Sequence, residues 1–245
     1  MVFLDNDFEV FLDPDGDTHR YAELEINHLG TVWDLRLEKP YRDGEPAVNE
    51  WDVAGLRSGV FLEGTLNNPT DRDTGWTVEL AIPWAALDLP PPRDGAQWRV
   101  NFSRVGWELD VVHGEYRKRG DPTTGRPLAE ANWVWSPQFA VNMHMPEMWG
   151  IVQFSEASNA RVREPPDEPA RWSLRRVYYG QRGYHARFGR YAGRLADLGL
   201  RGLAPGVWLE EDDDGYEAGV TGPTGADWRV RQDGRLWSEP LRHTR

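Results

Sequence analysis

The most regular hydrophobic pattern lies in residues 5–27, where two short segments alternate apolar and polar positions. Such alternation predicts β-strands, because successive side chains of a strand point to opposite faces of a sheet. The apolar positions are Phe8, Val10, Leu12, Ala22, Leu24 and Ile26, and the alternate positions are Asp7, Glu9, Phe11, Asp13, Glu23, Glu25 and Asn27. The segments are joined by DPDGD, whose residue types are typical of turns. The pattern predicts a hairpin with one apolar face and one acidic face.

Short segments with strand character recur through the first two thirds of the chain. They lie at residues 31–37, 59–64, 76–83, 98–105 and 151–154. Six or seven such strands with turns between them favour an all-β fold, an antiparallel β-sandwich of the jelly-roll or immunoglobulin-like kind. Residues 109–131 are polar and contain three Gly, so we predict one long loop there.

The pattern changes after the sandwich segment. Residues 157–170 are charged and rich in Pro, which indicates a linker. Apolar and aromatic residues then recur every three or four positions, and this spacing predicts a helix over 169–188 that ends at Gly189. Short strand-like segments follow the helix. We therefore expect a sandwich in residues 1–156 and a helix with a small β-sheet appendage in residues 171–245.

Composition narrows the range of partners. The 245 residues carry a formal net charge of −12, which argues against nucleic-acid partners because phosphate binding requires clustered Lys and Arg. No apolar run approaches the length of a membrane span, and no charged-then-apolar leader follows Met1, so we expect neither a membrane span nor a secretion signal in this chain. The absence of Cys excludes disulfides and thiol catalysis.

Four motifs in order resemble the family 9 carbohydrate-binding module, and more narrowly its bacterial family 9-like sugar-binding group. They are DNDFEVFLDPDGDTHRYAELEINHLGTVWD, GWTVELAIPW, WRVNFSRV, and NWVWSP followed by NMHMPEMWG. The resemblance covers about Phe3 to Phe154. It implies a β-sandwich related to xylanase-associated modules that bind sugar chain ends, often with structural calcium. It also implies that N-terminal strands of the family are missing here, and that the protein acts in polysaccharide catabolism outside the cell or in the cell envelope.

The resemblance implies sugar-contacting residues on the acidic hairpin face. Glu9 in DFEVF matches the family's sugar-contacting glutamate, and Phe3 takes the position of a clamping tryptophan. Glu25 stands where the family has a hydrogen-bonding arginine, while Asn27 keeps a polar amide. The second clamping tryptophan falls at residues 143–144.

A sugar site needs an aromatic platform for the apolar ring face and polar groups for the hydroxyls. The polar candidates are Glu9, Glu25 and Asn27, and the aromatic candidates brought near them are Phe3, Phe11, Trp135 and His144. The alternative is a solvated acidic sheet face with the Trp residues in the core.

The turn at residues 13–17 is also a candidate calcium loop, since Asp13, Asp15 and Asp17 alternate around Gly16. The twelfth position of such a loop is normally a glutamate, and here it is Leu24. An ordinary hairpin turn is therefore favoured, and structural calcium stays an alternative.

Catalysis has little support in the sequence, which contains no HExxH and no G-x-S-x-G motif. The best acid–base candidates are Asp110, His113 and Glu115, so a glycoside hydrolase or its accessory domain is one alternative. A haem-binding envelope domain is another, with axial ligands from the Met-His-Met run at 143–145. We predict non-catalytic binding of an oligo- or polysaccharide.

Overall fold

The computed structural model of the chain describes residues 2–44, 46–212 and 215–239. The strands are β1 (Asp7–Asp13), β2 (Tyr21–Asn27), β3 (Val32–Leu37), β4 (Ala47–Val48), β5 (Arg57–Glu63), β6 (Gly75–Ala81), β7 (Gln97–Gly106), β8 (Leu109–Val112), β9 (Glu115–Lys118), β10 (Ala131–Val134), β11 (Gly150–Gln153), β12 (Trp208–Glu211), β13 (Tyr216–Thr221), β14 (Asp227–Arg231) and β15 (Leu236–Glu239). The helix α1 spans Glu168–Phe188, and short 3-10 turns include Val2–Leu4 and Trp84–Leu87.

The hairpin β1–β2 lies in the middle of the largest sheet. The strand order is β10-β7-β1-β2-β3-β4, and β11 pairs with the same edge of β7 as β10 does, nearer the start of β7. All of these pairs are antiparallel. The register sets Val10 opposite Leu24 on one side and opposite Phe102 on the other, which aligns the apolar positions of three neighbouring strands on one face.

The hairpin β5–β6 covers part of that apolar face. Leu24 and Ile26 form a buried cluster against which Val60, Val78 and Leu80 pack. Because the covering layer consists of two strands, an apolar groove of about 580 Å³ remains between β6 and the strands β1 and β7. The sandwich therefore has one broad layer and one narrow layer.

The opposite face of the large sheet has a second buried cluster, which contains Phe11, Tyr21, Leu35, Leu37 and Trp149. The ring of Trp149 packs against Phe11 at 5.3 Å and against Tyr21 at 5.2 Å between centroids. Its indole N–H donates to the Met143 carbonyl at 2.9 Å, which ties the segment before β11 to this face. This segment therefore covers the face that the alternation predicts to be acidic.

The C-terminal part forms its own small unit. Helix α1 packs on the four-stranded sheet β12-β13-β14-β15 through a core that includes Leu174, Val177 and Val230. The helix ends at Gly189, whose φ of 68° allows its N–H to donate to the His185 carbonyl. A left-handed residue at this position is most easily a glycine, since it lacks a Cβ.

A buried arginine joins the sandwich to helix α1. Arg42 donates to Tyr178 Oη, to the His144 carbonyl and to Glu147 Oε2, each at 3.0 Å. Glu147 also accepts a hydrogen bond from the Tyr179 hydroxyl. Burial opposes the charge of Glu147, but Arg42 and Arg175 hold the pKa of this carboxyl below its ordinary value. The Arg42–Glu147 pair is thus a buried, hydrogen-bonded ion pair.

The predicted fold class is confirmed, since the described residues form mostly antiparallel sheets and one α-helix. The predicted single loop over 109–131 is wrong, because it contains the hairpin β8–β9. Helix α1 begins at Glu168, within the predicted linker 157–170. Among the described residues, no helix is both long enough and apolar enough to cross a membrane.

Replacing Arg42 by Met is expected to lower the free energy of unfolding by about 3–5 kcal/mol, because it leaves the buried Glu147 carboxylate without its cation. Urea denaturation of the purified protein measures this change. Arg36→Met is the matched control, since the Arg36–Asp88 pair has an exposed partner and should contribute less than about 1 kcal/mol. Equal losses in the two variants would contradict the buried-pair interpretation.

Candidate functional site

Four carboxylates lie side by side on one face of the hairpin β1–β2. The register sets Glu9 directly opposite Glu25 and places Glu23 opposite Phe11, one position further along the same face. Asp7 is opposite Asn27 at the other end of this row. All four carboxylate residues are buried, with at most 5% of their surface exposed. The face is acidic, as the alternation predicts, but it is not solvated.

Several carboxylate oxygens of Asp7, Glu9 and Glu25 have no hydrogen-bond partner that would compensate for this burial. Both oxygens of Asp7 and one oxygen each of Glu9 and Glu25 are buried without a hydrogen-bond partner. No ion pair among the described residues includes any of the three. The Ser103 hydroxyl, on the strand position opposite Glu9, is also buried and without a hydrogen-bond partner. An unpaired buried charge is costly, so these groups require either protonation or a cation.

In the absence of a ligand, burial raises the pKa values of these carboxyl groups. Burial, with a smaller contribution from Asp5, raises the pKa of Asp7 to about 7. Burial and then the neighbouring Asp7 raise the pKa of Glu9 to about 7, against an opposing effect of Ser103. Burial and then Glu9 raise the pKa of Glu25 to about 9 and that of Glu23 well above its ordinary value. At neutral pH with nothing bound, Asp7 and Glu9 are therefore about half protonated, and Glu25 is mostly protonated.

An aromatic pair lies at the edge of the cluster. Trp33 is the cross-strand neighbour of Glu25 on β3, and its ring lies 5.5 Å from that of Phe3 between centroids. Phe3 belongs to the 3-10 turn Val2–Leu4, which packs against β2. About a third of Phe3 is exposed. Phe3 thus lies beside the cross-strand neighbour of Glu25, and Glu25 lies opposite Glu9.

His144 lies further along the same face. Its Nδ1 is 2.9 Å from the Tyr21 hydroxyl, and its Nε2 is 3.9 Å from Glu23 Oε2. The ring of Tyr41 packs against it at 4.5 Å between centroids. Burial, and then the charge of Arg42, lower the pKa of His144 to about 4, so the ring is neutral. Both ring nitrogens face protein groups, an arrangement that fits a structural role better than haem ligation.

Asn27 uses its amide to shape the turn after β2. The carbonyl oxygen of the side chain accepts hydrogen bonds from the backbone N–H groups of Leu29 and Thr31, at 3.1 and 3.0 Å. The side-chain nitrogen donates to Asp5 Oδ2 at 3.1 Å. Little hydrogen-bonding capacity of Asn27 is left for a ligand.

Trp135 is not near the carboxylates. Its backbone N–H donates to the Phe102 carbonyl, and its ring lies 5.6 Å from the Phe102 ring between centroids. Phe102 is opposite Val10, so Trp135 lies on the apolar side of the sheet, away from Glu9. The direction of this side chain depends on the pairing of β10 with β7, which the local pattern does not reveal.

The carboxylates of the turn at residues 13–17, the alternative calcium loop, already have partners. Asp13 accepts hydrogen bonds from the Gly16 and Thr18 backbone N–H groups, and Asp15 accepts one from that of Asp17. Asp17 accepts bonds from the His19 N–H and from Arg235. The turn is held by its own backbone and by the C-terminal unit, in agreement with the hairpin-turn interpretation.

The predicted acid–base candidates lie on the hairpin β8–β9. Arg119 donates to Asp110 at 2.9 Å and to Glu108 at 2.7 Å, so Asp110 is part of an ion-pair network. Glu115 is exposed and lies 3.5 Å from Arg117. His113 adopts a φ of 54° in the tight turn between the strands. These contacts are typical of a surface hairpin. They do not place two carboxylates on either side of a pocket, as glycoside hydrolysis requires.

Comparison with known proteins finds a distant structural similarity. No protein-family model matches the chain, and no curated protein matches its sequence. The chain is similar to a crystal structure described as a "putative carbohydrate-binding protein" from Bacteroides uniformis, with 21% identity and a TM-score of 0.40. The match covers 63% of each chain, less than two thirds of that protein's length. A likeness this distant carries no conclusion about ligands, and membership of the family 9 module stays a prediction.

The carboxylate cluster includes residues that the sequence did not single out as ligand-binding candidates. Asp7 and Ser103 complete the surroundings of Glu9, and Glu23 extends the row towards His144. The alternation places Asp7 and Glu23 on the correct face, whereas Ser103 depends on the pairing of β7 with β1. One oxygen of each of Asp7, Glu9 and Glu25 lies within 4.8 Å of the others, a spacing suited to metal coordination. Hard oxygen ligands of this kind prefer Ca²⁺ or Mg²⁺.

In the presence of a chelator, we expect the stability of the protein to fall as pH rises from 4.5 to about 9. In this range the folded state holds a proton at Glu25 that the unfolded state has released, so folding binds protons and stability decreases with pH. Glu25→Gln removes this titrating group, so the stability of the variant should fall less steeply with pH. The slope should be smaller than that of the wild type by up to about 1.4 kcal/mol per pH unit. Chemical denaturation at several pH values measures both slopes.

Glu115→Gln is the matched control, because Glu115 is exposed and its replacement should leave the slope unchanged. Parallel curves for wild type and Glu25→Gln would show that Glu25 is ionised in the folded protein without a cation, contrary to its buried position.

Proposed function

We propose that this chain binds carbohydrate without catalysis, and that the sugar stacks on an exposed pair of tryptophans at the edge of the large sheet. This pair, Trp133 and Trp135, is called the indole strip. The observation that carries the proposal is the exposure of both side chains, 62% for Trp133 and 46% for Trp135. Large aromatic surfaces left open to solvent next to each other mark a binding surface.

The indole strip is held in a shape suited to stacking. Trp133 is opposite Arg104 and Trp135 lies beside Phe102, so both belong to the same face of the sheet. The six-membered ring of Trp135 lies across Gly150, where a Cβ would come within 2.4 Å of Cζ3. The absence of a side chain at Gly150 therefore lets the ring lie close to the sheet while the rest of it stays open. The apolar face of a pyranose ring stacks well on such a surface.

A polar group beside the indole strip could bind sugar hydroxyls. Arg104 is exposed and is the cross-strand neighbour of Trp133, on the same face of the sheet. Its guanidinium can donate hydrogen bonds to hydroxyl oxygens. The combination of a flat apolar surface and a neighbouring donor fits a sugar better than a purely apolar ligand.

The hairpin face is a less accessible place for a sugar. Glu9 and Glu25 are only 5% and 3% exposed. A sugar could reach both carboxylates only if the Val2–Leu4 turn and Phe3 moved away. The indole strip needs no such movement. Sugar contact by Glu9, as the family resemblance implies, stays a prediction that the same experiment tests.

We expect isothermal calorimetry against xylo-, cello- and manno-oligosaccharides to show saturable binding. Trp135→Ala and Trp133→Ala should each weaken binding by about tenfold, the loss of roughly 1.4 kcal/mol of stacking. Trp172→Ala, at an exposed tryptophan of helix α1, is the matched control and should bind as wild type does. The oligosaccharides should be recovered uncleaved.

Three outcomes would contradict this proposal. If the folded wild-type chain binds none of the sugars, the indole strip is not a binding site for them. Equal weakening by Trp172→Ala would show that the effect is not local to the indole strip. Loss of binding in Glu9→Gln together with normal binding in Trp135→Ala would move the site to the hairpin face.

A further inference from the structure

We propose that Asp7, Glu9 and Glu25 bind one divalent cation, with Ca²⁺ as the ion of best fit. The site lies between the central strands β1 and β2 of the large sheet. It is on the opposite face from the indole strip, so it does not depend on the proposed sugar binding.

The spacing of the carboxylates fits calcium. One oxygen of each residue lies within 4.8 Å of an oxygen of the other two. Calcium binds oxygens at about 2.3–2.6 Å, so two oxygens on the same ion can be at most about 5 Å apart. The cluster meets this limit. Calcium also accepts irregular oxygen cages, whereas magnesium requires near-ideal octahedral geometry and usually keeps several waters, so calcium is the ion of better fit.

A second observation points to a ligand at this place. The Ser103 hydroxyl lies on the strand position opposite Glu9, is 1% exposed, and finds no hydrogen-bond partner among the described residues. Cross-strand neighbours point to the same face of a sheet, so the hydroxyl lies beside the Glu9 carboxyl, whose pKa it lowers without forming a well-aligned hydrogen bond. A buried hydroxyl without a partner is uncommon in a native protein, and a bound ion supplies the missing interaction. The hydroxyl oxygen adds a fourth hard ligand atom.

The local charge also favours a cation. Elsewhere in the protein, buried acids have cationic neighbours, as Glu147 has Arg42 and Asp17 has Arg235. Asp7, Glu9 and Glu25 have no Lys or Arg partner among the described residues. A divalent ion would neutralise two of the three carboxylates and satisfy the oxygens that lack hydrogen bonds.

The other acidic triad of the protein does not offer the same chemistry. The oxygens of Asp13, Asp15 and Asp17 accept hydrogen bonds from the turn backbone and from Arg235. Asp15 is also exposed, so its carboxylate is hydrated without an ion. This triad is a matched comparison for the test.

The test is a calorimetric titration of the chelator-treated 245-residue chain with CaCl₂, together with thermal melting in CaCl₂ and in EGTA. We expect one saturable site and a rise in Tm of roughly 5–10 °C at a calcium concentration about one hundred times Kd. Asp7→Asn and Glu25→Gln should lose the heat of binding and the Tm rise. Both changes keep the side-chain shape and remove a buried charge, so the variants should melt cooperatively in EGTA.

Asp15→Asn should behave as wild type, and MgCl₂ should bind at least about tenfold more weakly than CaCl₂. The proposal is overturned if the folded wild type shows neither heat nor a Tm rise. It is also overturned if Asp15→Asn abolishes binding while Glu25→Gln retains it. Sugar binding is measured separately, in EGTA. The calcium titration and the melting curves do not depend on that result, so failure of one proposal can be told from failure of the other.

Discussion

The burial of carboxylates in the middle of the largest sheet is the constraint on which the rest of this structure depends. Asp7, Glu9, Glu23 and Glu25 are brought onto one face by the register of β1 and β2. That register is fixed by the turn that follows, where Asp13 accepts hydrogen bonds from two backbone N–H groups. A one-residue slip would move the acids to the apolar face. The fold therefore cannot avoid the acidic cluster, and the cluster must be neutralised by protons or by a cation.

Two buried acids elsewhere in the protein, Glu147 and Asp17, pair with arginines of the chain. Helix α1 supplies Arg171 and Arg175 to the Gly16 carbonyl of the hairpin turn, at 2.9 and 3.2 Å. Arg42 pairs with Glu147 at the junction between the sandwich and the helix. The C-terminal unit thus stabilises one end of the hairpin, while the carboxylates nearer the other end receive no such partner. The two faces of the sheet then have separate proposed roles, with a cation on one and a sugar on the edge of the other.

Local patterns predicted the elements whose formation depends on local sequence. The alternation in residues 5–27 predicts β1 and β2, and the three- and four-residue spacing predicts α1 to within a residue at its start. The hairpin β8–β9 was missed because its residues are mostly exposed, so it has no buried face to produce a clear alternation. Alternation also assigned Glu9 and Glu25 to one face correctly.

The sequence could not show which face later segments cover. The acidic face is buried because the Val2–Leu4 turn and the segment before β11 pack over it, and these contacts join residues far apart in the chain. For the same reason Trp135 and Asn27 were predicted at the site, whereas one lies across Gly150 and the other shapes a turn. Long-range pairing, not local propensity, decides these positions.

The most direct test of cation binding by the buried carboxylates is an X-ray structure from crystals grown in CaCl₂. We expect a density peak about 2.3–2.6 Å from oxygens of Asp7, Glu9 and Glu25. Carboxylates that hydrogen-bond to one another around an empty centre, or a peak only at the Asp13–Asp17 turn, would contradict it.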